Sequence, residues 1–225
     1  MAKNTDSGNH KRVPLNRARL LQGAMAIADA GGIEALTMRS LAHQVGVKPM
    51  SLYHHTKNKD DILDAIVDIV FSEIVLPVDN ADWRAAIRDR TNSTRAVLRQ
   101  HPWAISMMQS RLNPGPATLR HHDWVIGTFR GAGFSWVMTA HAFSLVDAYL
   151  YGFALQEKTM PFETPQDISE IAETMMANIS PDTYPHLTAL TIKHVLKPGY
   201  DYGKEFTYGL KVILDALELL IAKRK

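Results

Sequence analysis

The sequence contains no cysteine. Disulfides, thiolate metal sites and cysteine nucleophiles are thereby excluded. No run approaches the roughly 18 uncharged apolar residues of a membrane span, and residues 1 to 14 lack the apolar core of a signal peptide. A cytoplasmic protein without membrane contact is predicted. Several catalytic signatures are also missing: there is no His-Glu-x-x-His, Gly-x-Ser-x-Gly, phosphate-loop or Gly-x-Gly-x-x-Gly pattern. His121-His122-Asp123 resembles metal chemistry at first sight. Adjacent histidines on a helix diverge by about 100°, however, and rarely hold one ion from one face. No metal, cofactor or enzymatic activity is expected, which disfavours the alternative of a helical metal-dependent enzyme.

What is present begins with size and charge. At 225 residues and 46% hydrophobic content, the chain can bury a substantial core. Residues 1 to 60 hold nine Lys/Arg against four Asp/Glu, a net of +5, while the remainder carries −3, so the overall +2 hides a basic N-terminal third. Such asymmetry suits a chain whose first third faces a polyanion. It disfavours a helical interaction module that does not bind DNA.

The stretch from Leu36 to His55 reads as a helix-turn-helix. Thr37 is a fitting N-cap; Leu41, Ala42 and Val45 form an apolar edge; and Gly46 can end the helix in the left-handed conformation. Pro49 then opens a second, short helix anchored by Leu52. Met50, Ser51, Tyr53, His54 and His55 are poor candidates for joint burial. They suit a surface that meets base edges and phosphates. Ahead of this motif, Leu20, Leu21, Ala24, Ile27 and Ala28 recur at helical spacing, with Arg17 and Arg19 near the start and Gly31-Gly32 at the end. Residues 1 to 14 are predicted to be a disordered tail.

After His55, Asn58 is a plausible N-cap for a long amphipathic helix over 59–76. Its first turn, with Lys57 and Lys59 beside it, offers backbone N–H groups and cations to a DNA phosphate. Residues 15–60 are thus read as the DNA-binding domain, 59–76 as a connecting helix and 77–225 as a larger helical domain. Within the latter, helices are predicted over Trp83 to Leu98, Trp103 to Met108, Leu119 to Arg130, Phe134 to Gln156, Gln166 to Ile179, His186 to Leu196 and Lys204 to Lys223. Thr164 marks one helix start, and Lys223-Arg224-Lys225 suits the last helix end.

Residues 15 to 75 resemble the TetR family of bacterial transcription regulators. The resemblance rests on Gly32-Ile-Glu-Ala-Leu-Thr-Met-Arg-Ser-Leu-Ala and Ser51-Leu-Tyr-His-His-Thr-Lys-Asn-Lys59, in which helix starts, turn glycine, Leu-Tyr pair and Lys-Asn-Lys fall at family spacing. It implies an all-α fold, with a three-helix DNA-binding domain and a larger ligand-binding and dimerisation domain. It implies further that Arg39 reaches a guanine edge or phosphate, and that Lys48, Pro49, Met50 and Ser51 line the recognition helix. Tyr53, His54 and His55 would contact backbone or thymine methyls, and Lys59 a phosphate. Thr37 and Lys57 complete the predicted DNA surface. Pro49 and Met50 stand where the family's tetracycline-binding members have glutamine and proline, so a different operator sequence is expected.

The partners implied are double-stranded DNA carrying a palindromic operator, a second copy of the chain and a small-molecule effector. Residues 134–156 and 204–223 resemble the helices that pair between subunits in this family. A twofold dimer would read two half-sites where one short helix reads few bases. For the effector, Trp103, Met107, Met108, Trp124, Phe129, Phe134, His141, Phe143, Asp147, Tyr149 and Met176 form the candidate lining of an apolar cavity. His141 or Asp147 would orient a polar group. Met107 falls where tetracycline-binding members place a magnesium-linked histidine, and a thioether is a poor magnesium ligand. The expected function is a repressor released from DNA by an apolar effector other than tetracycline.

Overall fold

The computed structural model describes residues 14–78, 82–160 and 165–222. The predicted roles of residues 1 to 13, Thr164 and Lys223-Arg224-Lys225 lie outside the described residues. Among the described residues there are eleven α-helices and no strand: α1 (Arg17–Gly31), α2 (Met38–Val45), α3 (Pro49–Leu52), α4 (Lys59–Glu73), α5 (Trp83–Gln100), α6 (Ala104–Met107), α7 (Pro116–Gly131), α8 (Trp136–Thr159), α9 (Pro165–Met176), α10 (Pro185–Leu190) and α11 (Gly203–Ala222). They fall into two compact units. One contains the chain to Ser72 together with His101–Thr118; the other contains Glu73–Gln100 and Leu119–Lys225. The segment 101–118, grouped by sequence with the larger domain, thus packs with the N-terminal helices.

Local chemistry accounts for the helix ends of the N-terminal unit. Asn16 accepts from the Arg19 N–H at 2.8 Å and starts α1. Thr37 and Ser40 cap α2 reciprocally: the Ser40 N–H donates to Thr37 Oγ1 at 3.0 Å, and the Thr37 N–H to Ser40 Oγ at 2.9 Å. A serine here does the work that glutamate or glutamine usually does in a capping box. Gly46 ends α2 at φ 71, as its left-handed geometry requires. Leu20, Ala24, Leu41, Leu52, Ile62 and Ile66 are fully or almost fully buried and make the small core. Gly23 permits the close approach of α1 to α2, since a Cβ there would sit 2.7 Å from Val45 Cγ1.

Aspartates on α4 bind the 101–118 segment. Asp64 accepts from Arg111 Nε at 2.5 Å and from Asn113 at 3.2 Å, and Asp60 accepts from Arg111 Nη2 at 3.1 Å. Asp68 accepts from the Thr118 N–H at 2.8 Å and the Ala117 N–H at 3.3 Å. These are orphan donors of the first turn of α7. That distant cap explains why α7 begins at Pro116 and not near Leu119, the predicted start. At the other end of α1, Asp29 accepts from Trp103 Nε1 and faces His101 Nδ1, each at 2.7 Å.

The C-terminal unit has an aromatic core. Ile87, Val125, Phe129, Val146, Leu150, Phe206 and Leu214 from α5, α7, α8 and α11 pack together with Phe134 from the α7–α8 connection. Phe134 stands edge-on to Phe129 and to Trp83, with centroids 5.1 Å apart in both pairs, and Phe153 meets Phe206 at the same separation. Burying each large apolar side chain stabilises by roughly 1.5–3 kcal/mol. Arg95 lies over the Phe206 ring at 4.6 Å and pairs with Glu157 at 2.6 Å. The single helix predicted over His186 to Leu196 is instead α10 followed by a π turn, Thr191–Val195.

Candidate nucleic-acid interface

The helix-turn-helix buries one side and exposes the other. Leu41, Ala42, Val45 and Leu52 face the core. Thr37, Arg39, Lys48, Pro49, Met50, Tyr53, His54 and Lys57 are exposed, and Ser51, His55 and Lys59 are half-buried. Met50 retains 75% of its surface and Tyr53 49%, which sets these two apart from the buried Leu52 between them. The sequence-predicted set therefore lies along α2, α3, their caps, the connection after α3 and the first residue of α4. No described partner occupies the side chains of Arg39 or Lys48. Thr37, in contrast, is committed to capping α2, so its first role is to hold Arg39 two residues on.

Helix α3 is fastened at its far end by a pairing of Arg17 with Asp61 that sequence reasoning did not single out. Arg17 Nη1 donates to the His55 carbonyl at 2.9 Å, and its two terminal nitrogens reach both Asp61 oxygens at 3.2 and 3.0 Å. Asp61 also accepts from Thr56 Oγ1 at 2.8 Å and from the Lys57 N–H at 3.2 Å. The Arg17 hydrogen bonds, ahead of those from Thr56 and Lys57, hold the Asp61 carboxyl well below the usual carboxylate range. Arg17 is held above the ordinary arginine value by the same pair. Asn58 accepts from the Asp61 N–H at 2.8 Å and caps α4 as predicted. Arg19 Nη2 donates to the Val45 carbonyl at 2.9 Å, placing a cation at the negative end of α2. The sequence signal was the pair of arginines opening α1, but their targets are 26 to 44 residues away.

The predicted effector residues divide between the units. Trp103, Met107 and Met108 belong to the N-terminal unit, where the Trp103 indole is engaged by Asp29. The other eight belong to the C-terminal unit. Phe129 and Phe134 are fully buried in its aromatic core, and Trp124, Phe143 and Met176 are half-buried. The Tyr149 hydroxyl meets the Glu205 and Phe206 carbonyls at 3.1 Å, and its ring covers Gly209. That contact joins α8 to α11. His141, expected to orient a ligand, is exposed on α8, apart from the buried polar cluster. Asp147 is in that cluster, with Arg90 Nη1 2.9 Å away, while Arg90 Nε donates to His121 Nε2 at 2.8 Å. Burial, then the Arg90 charge, pushes the His121 pKa down to about 2. His121 is therefore neutral, with its proton on Nδ1, since arginine can only donate. Among the described residues no cluster of His, Asp and Glu could hold a metal ion, and no helix is long and apolar enough to cross a membrane.

Comparison with known proteins matches both halves. Residues 76–221 match the family described as tetracyclin repressor-like, C-terminal domain, and residues 20–66 match bacterial regulatory proteins, tetR family. The chain is 32% identical over 216 residues to the HTH-type transcriptional repressor DrrR1 of Streptomyces coeruleorubidus, covering 92% of this chain and 78% of that one. Among solved structures, a possible TetR family transcriptional regulator from Streptomyces coelicolor A3(2) has a TM-score of 0.73 at 28% identity, covering 91% of this chain and 99% of its own. The Streptomyces coelicolor TetR family protein ActR in complex with actinorhodin has a TM-score of 0.77 at 24% identity, covering 95% and 100%.

Proposed function

This chain belongs to the TetR family of bacterial regulatory proteins, and we propose that it is a dimeric repressor that a small-molecule effector releases from a palindromic operator. The observation that carries the DNA-binding role is the helix-turn-helix surface, on which Arg39, Lys48, Met50, Tyr53 and His54 stand exposed over a buried Leu41–Val45–Leu52 edge. Arg39 reads a base edge, Met50 offers apolar contact to a thymine methyl, and Lys48, Lys57 and Lys59 take phosphates. The role is binding, not catalysis. Repression is supported by the relative DrrR1, an HTH-type transcriptional repressor, and an effector by the ActR complex with actinorhodin.

Dimerisation through residues 134–156 and 204–223 is supported by apolar stripes left in solvent. On α8, Val137, His141, Leu145, Ala148, Gly152 and Leu155 are all exposed and fall within about 80° of one another around the helix. On α11, Tyr208, Val212, Ala216 and Leu219 form a similar stripe. Small residues between larger ones let two helices approach closely. His141 then belongs to a subunit interface, which accounts for its exposure in a single chain. Binding of effector shifts the chain between a DNA-competent and an incompetent state, and only a ligand with different affinities for the two can do so.

Selection of bound sequences from random double-stranded DNA tests the reading. A palindrome with half-sites about one helical turn apart, or a multiple, is the expected outcome. Enrichment of no sequence, or of an unpaired half-site by a monomer, would remove it.

A further inference from the structure

We propose that Arg90 is the polar anchor of a ligand site in the C-terminal unit, one that takes a neutral aromatic molecule carrying a carbonyl or similar hydrogen-bond-accepting oxygen. This deepens, and rests on, the reading of an effector-responsive regulator. Arg90 has no exposed surface. Two of its nitrogens are engaged by His121 and Asp147, but Nη2 is buried and meets no acceptor among the described residues. A buried donor left this way is costly, and native proteins keep few of them unless something completes the bond in a functional state. Arginine is also the side chain whose rigid fork allows one nitrogen to serve a ligand while the others hold it in place.

The surrounding charges select the ligand class. The ionisable groups meeting here are Arg90 from α5, His121 and His122 from α7 and Asp147 from α8. His121 is neutral, and burial pushes the pKa of His122 down as well. The cluster therefore holds one cation and one anion. An anionic ligand would bring a second negative charge next to Asp147 in a poorly solvated setting, where Arg90, already paired with Asp147, is the cation that the described residues supply. A carbonyl, ether or phenolic oxygen satisfies Nη2 without that imbalance. Aromatic surface borders the same place: the half-buried His122 ring lies edge-on to Phe143 and to His121, at 5.6 Å in each case. Flat rings pack favourably against such edges.

Calorimetric titration of the full-length protein with naphthoquinone, naphthalene and naphthoate tests the site. The absence of cysteine removes thiol addition to the quinone as a competing reaction. Naphthoquinone should bind at least about tenfold more tightly than either comparator. In Arg90→Lys, which keeps the charge facing Asp147 but loses the fork, that margin should vanish while naphthalene binding is unchanged. Should Arg90→Lys not fold, the guanidinium nitrogen resonances of wild-type Arg90 decide: they must shift with naphthoquinone and stay put with naphthalene. Equal binding of the three probes, a margin that survives Arg90→Lys, or no naphthoquinone binding up to its solubility limit overturns the proposal. So does a structure in which a water stays on Nη2 with the quinone bound. Arg90-dependent binding that leaves the DNA complex intact supports the site and removes the effector reading. Release of DNA by other compounds, equal in wild type and Arg90→Lys, keeps the effector reading and sinks the site.

Discussion

The two units solve the same problem, holding helices in place, by different means. In the N-terminal unit, α4 presents Asp60, Asp61, Asp64 and Asp68, and each accepts hydrogen bonds from arginine, asparagine, threonine or backbone N–H groups in partly solvated positions. In the C-terminal unit, rings from α5, α7, α8 and α11 interlock, and the one fully buried cation, among the described residues, pairs with Asp147. A small helical head has little apolar surface to bury, so directional polar contacts set its geometry and leave its outer face free for DNA. The larger unit gains stability from area. Its buried polar groups, Arg90, His121 and Asp147 among them, are then conspicuous, because leaving one unsatisfied in a low-dielectric setting is costly.

The contrast can be broken most directly at the aromatic core. Phe129→Ala should destabilise the chain by about 3–5 kcal/mol, read from denaturant unfolding, because the cavity lies where rings from α5 and α7 and Phe134 meet. A loss below about 1 kcal/mol would mean that the core is not close-packed there.

Acid separates the units by pH window. The folded pKa of His121 is depressed from 6.5 to about 2, so the unfolded chain takes up its proton first. Stability from this group is full above pH 6.5 and falls as pH drops towards the folded value. By linkage the loss is on the order of 2 kcal/mol between pH 6.5 and 5. His121→Asn should flatten that part of the thermal-unfolding profile, and an unchanged slope would show that His121 is protonated in the fold. Asp61, with its folded pKa also depressed, contributes above its unfolded value of 3.8, and that contribution is lost only as pH falls below it. The head's clasp should therefore outlast the His121 effect on acidification.

Arg39→Ala should cost about 1–3 kcal/mol at the preferred operator and relax preference at one base pair, measured by DNA titration. Unaltered affinity and preference would take Arg39 out of the interface. Asp61→Asn should lower stability by about 1 kcal/mol, a figure discounted for the solvent around the Arg17 pair. It should also weaken operator binding by loosening the end of α3, whereas equal DNA affinity would confine Arg17 and Asp61 to a purely structural role. The smallest effect belongs to Lys59→Ala, which should reduce affinity for all DNA alike and flatten the salt dependence by about one counterion. An identical slope would argue against a phosphate contact.

The helix-turn-helix was legible because its signals are local. Thr37, Gly46, Pro49 and Asn58 act on backbone within three or four residues, and α2, α3 and the start of α4 lie where those caps put them. The outer face of α3 was legible for a related reason: Met50, Tyr53 and His54 surround Leu52, so only one side of so short a helix can be buried. Effector residues were harder. Trp103, Phe129 and Tyr149 fit the composition of a pocket, but rings in a pocket and rings in a core have the same periodicity, and the structure engages these three within the fold. Arg90 escaped notice, and the partners of His121 and Arg17 did too, because nothing near these residues in sequence marks what they bind.

Sequence alone determined the helical elements, the basic first third and the reading head from Leu36 to His55, because caps, periodicity and charge act over a few residues or over none. Only the tertiary structure decided that Arg17 clasps Asp61, that Asp68 caps α7, that segment 101–118 joins the head and that Arg90 stands buried between His121 and Asp147. Those contacts span 31 to 74 residues of chain, and a side chain's partner at that distance is chosen by packing, which no local pattern encodes.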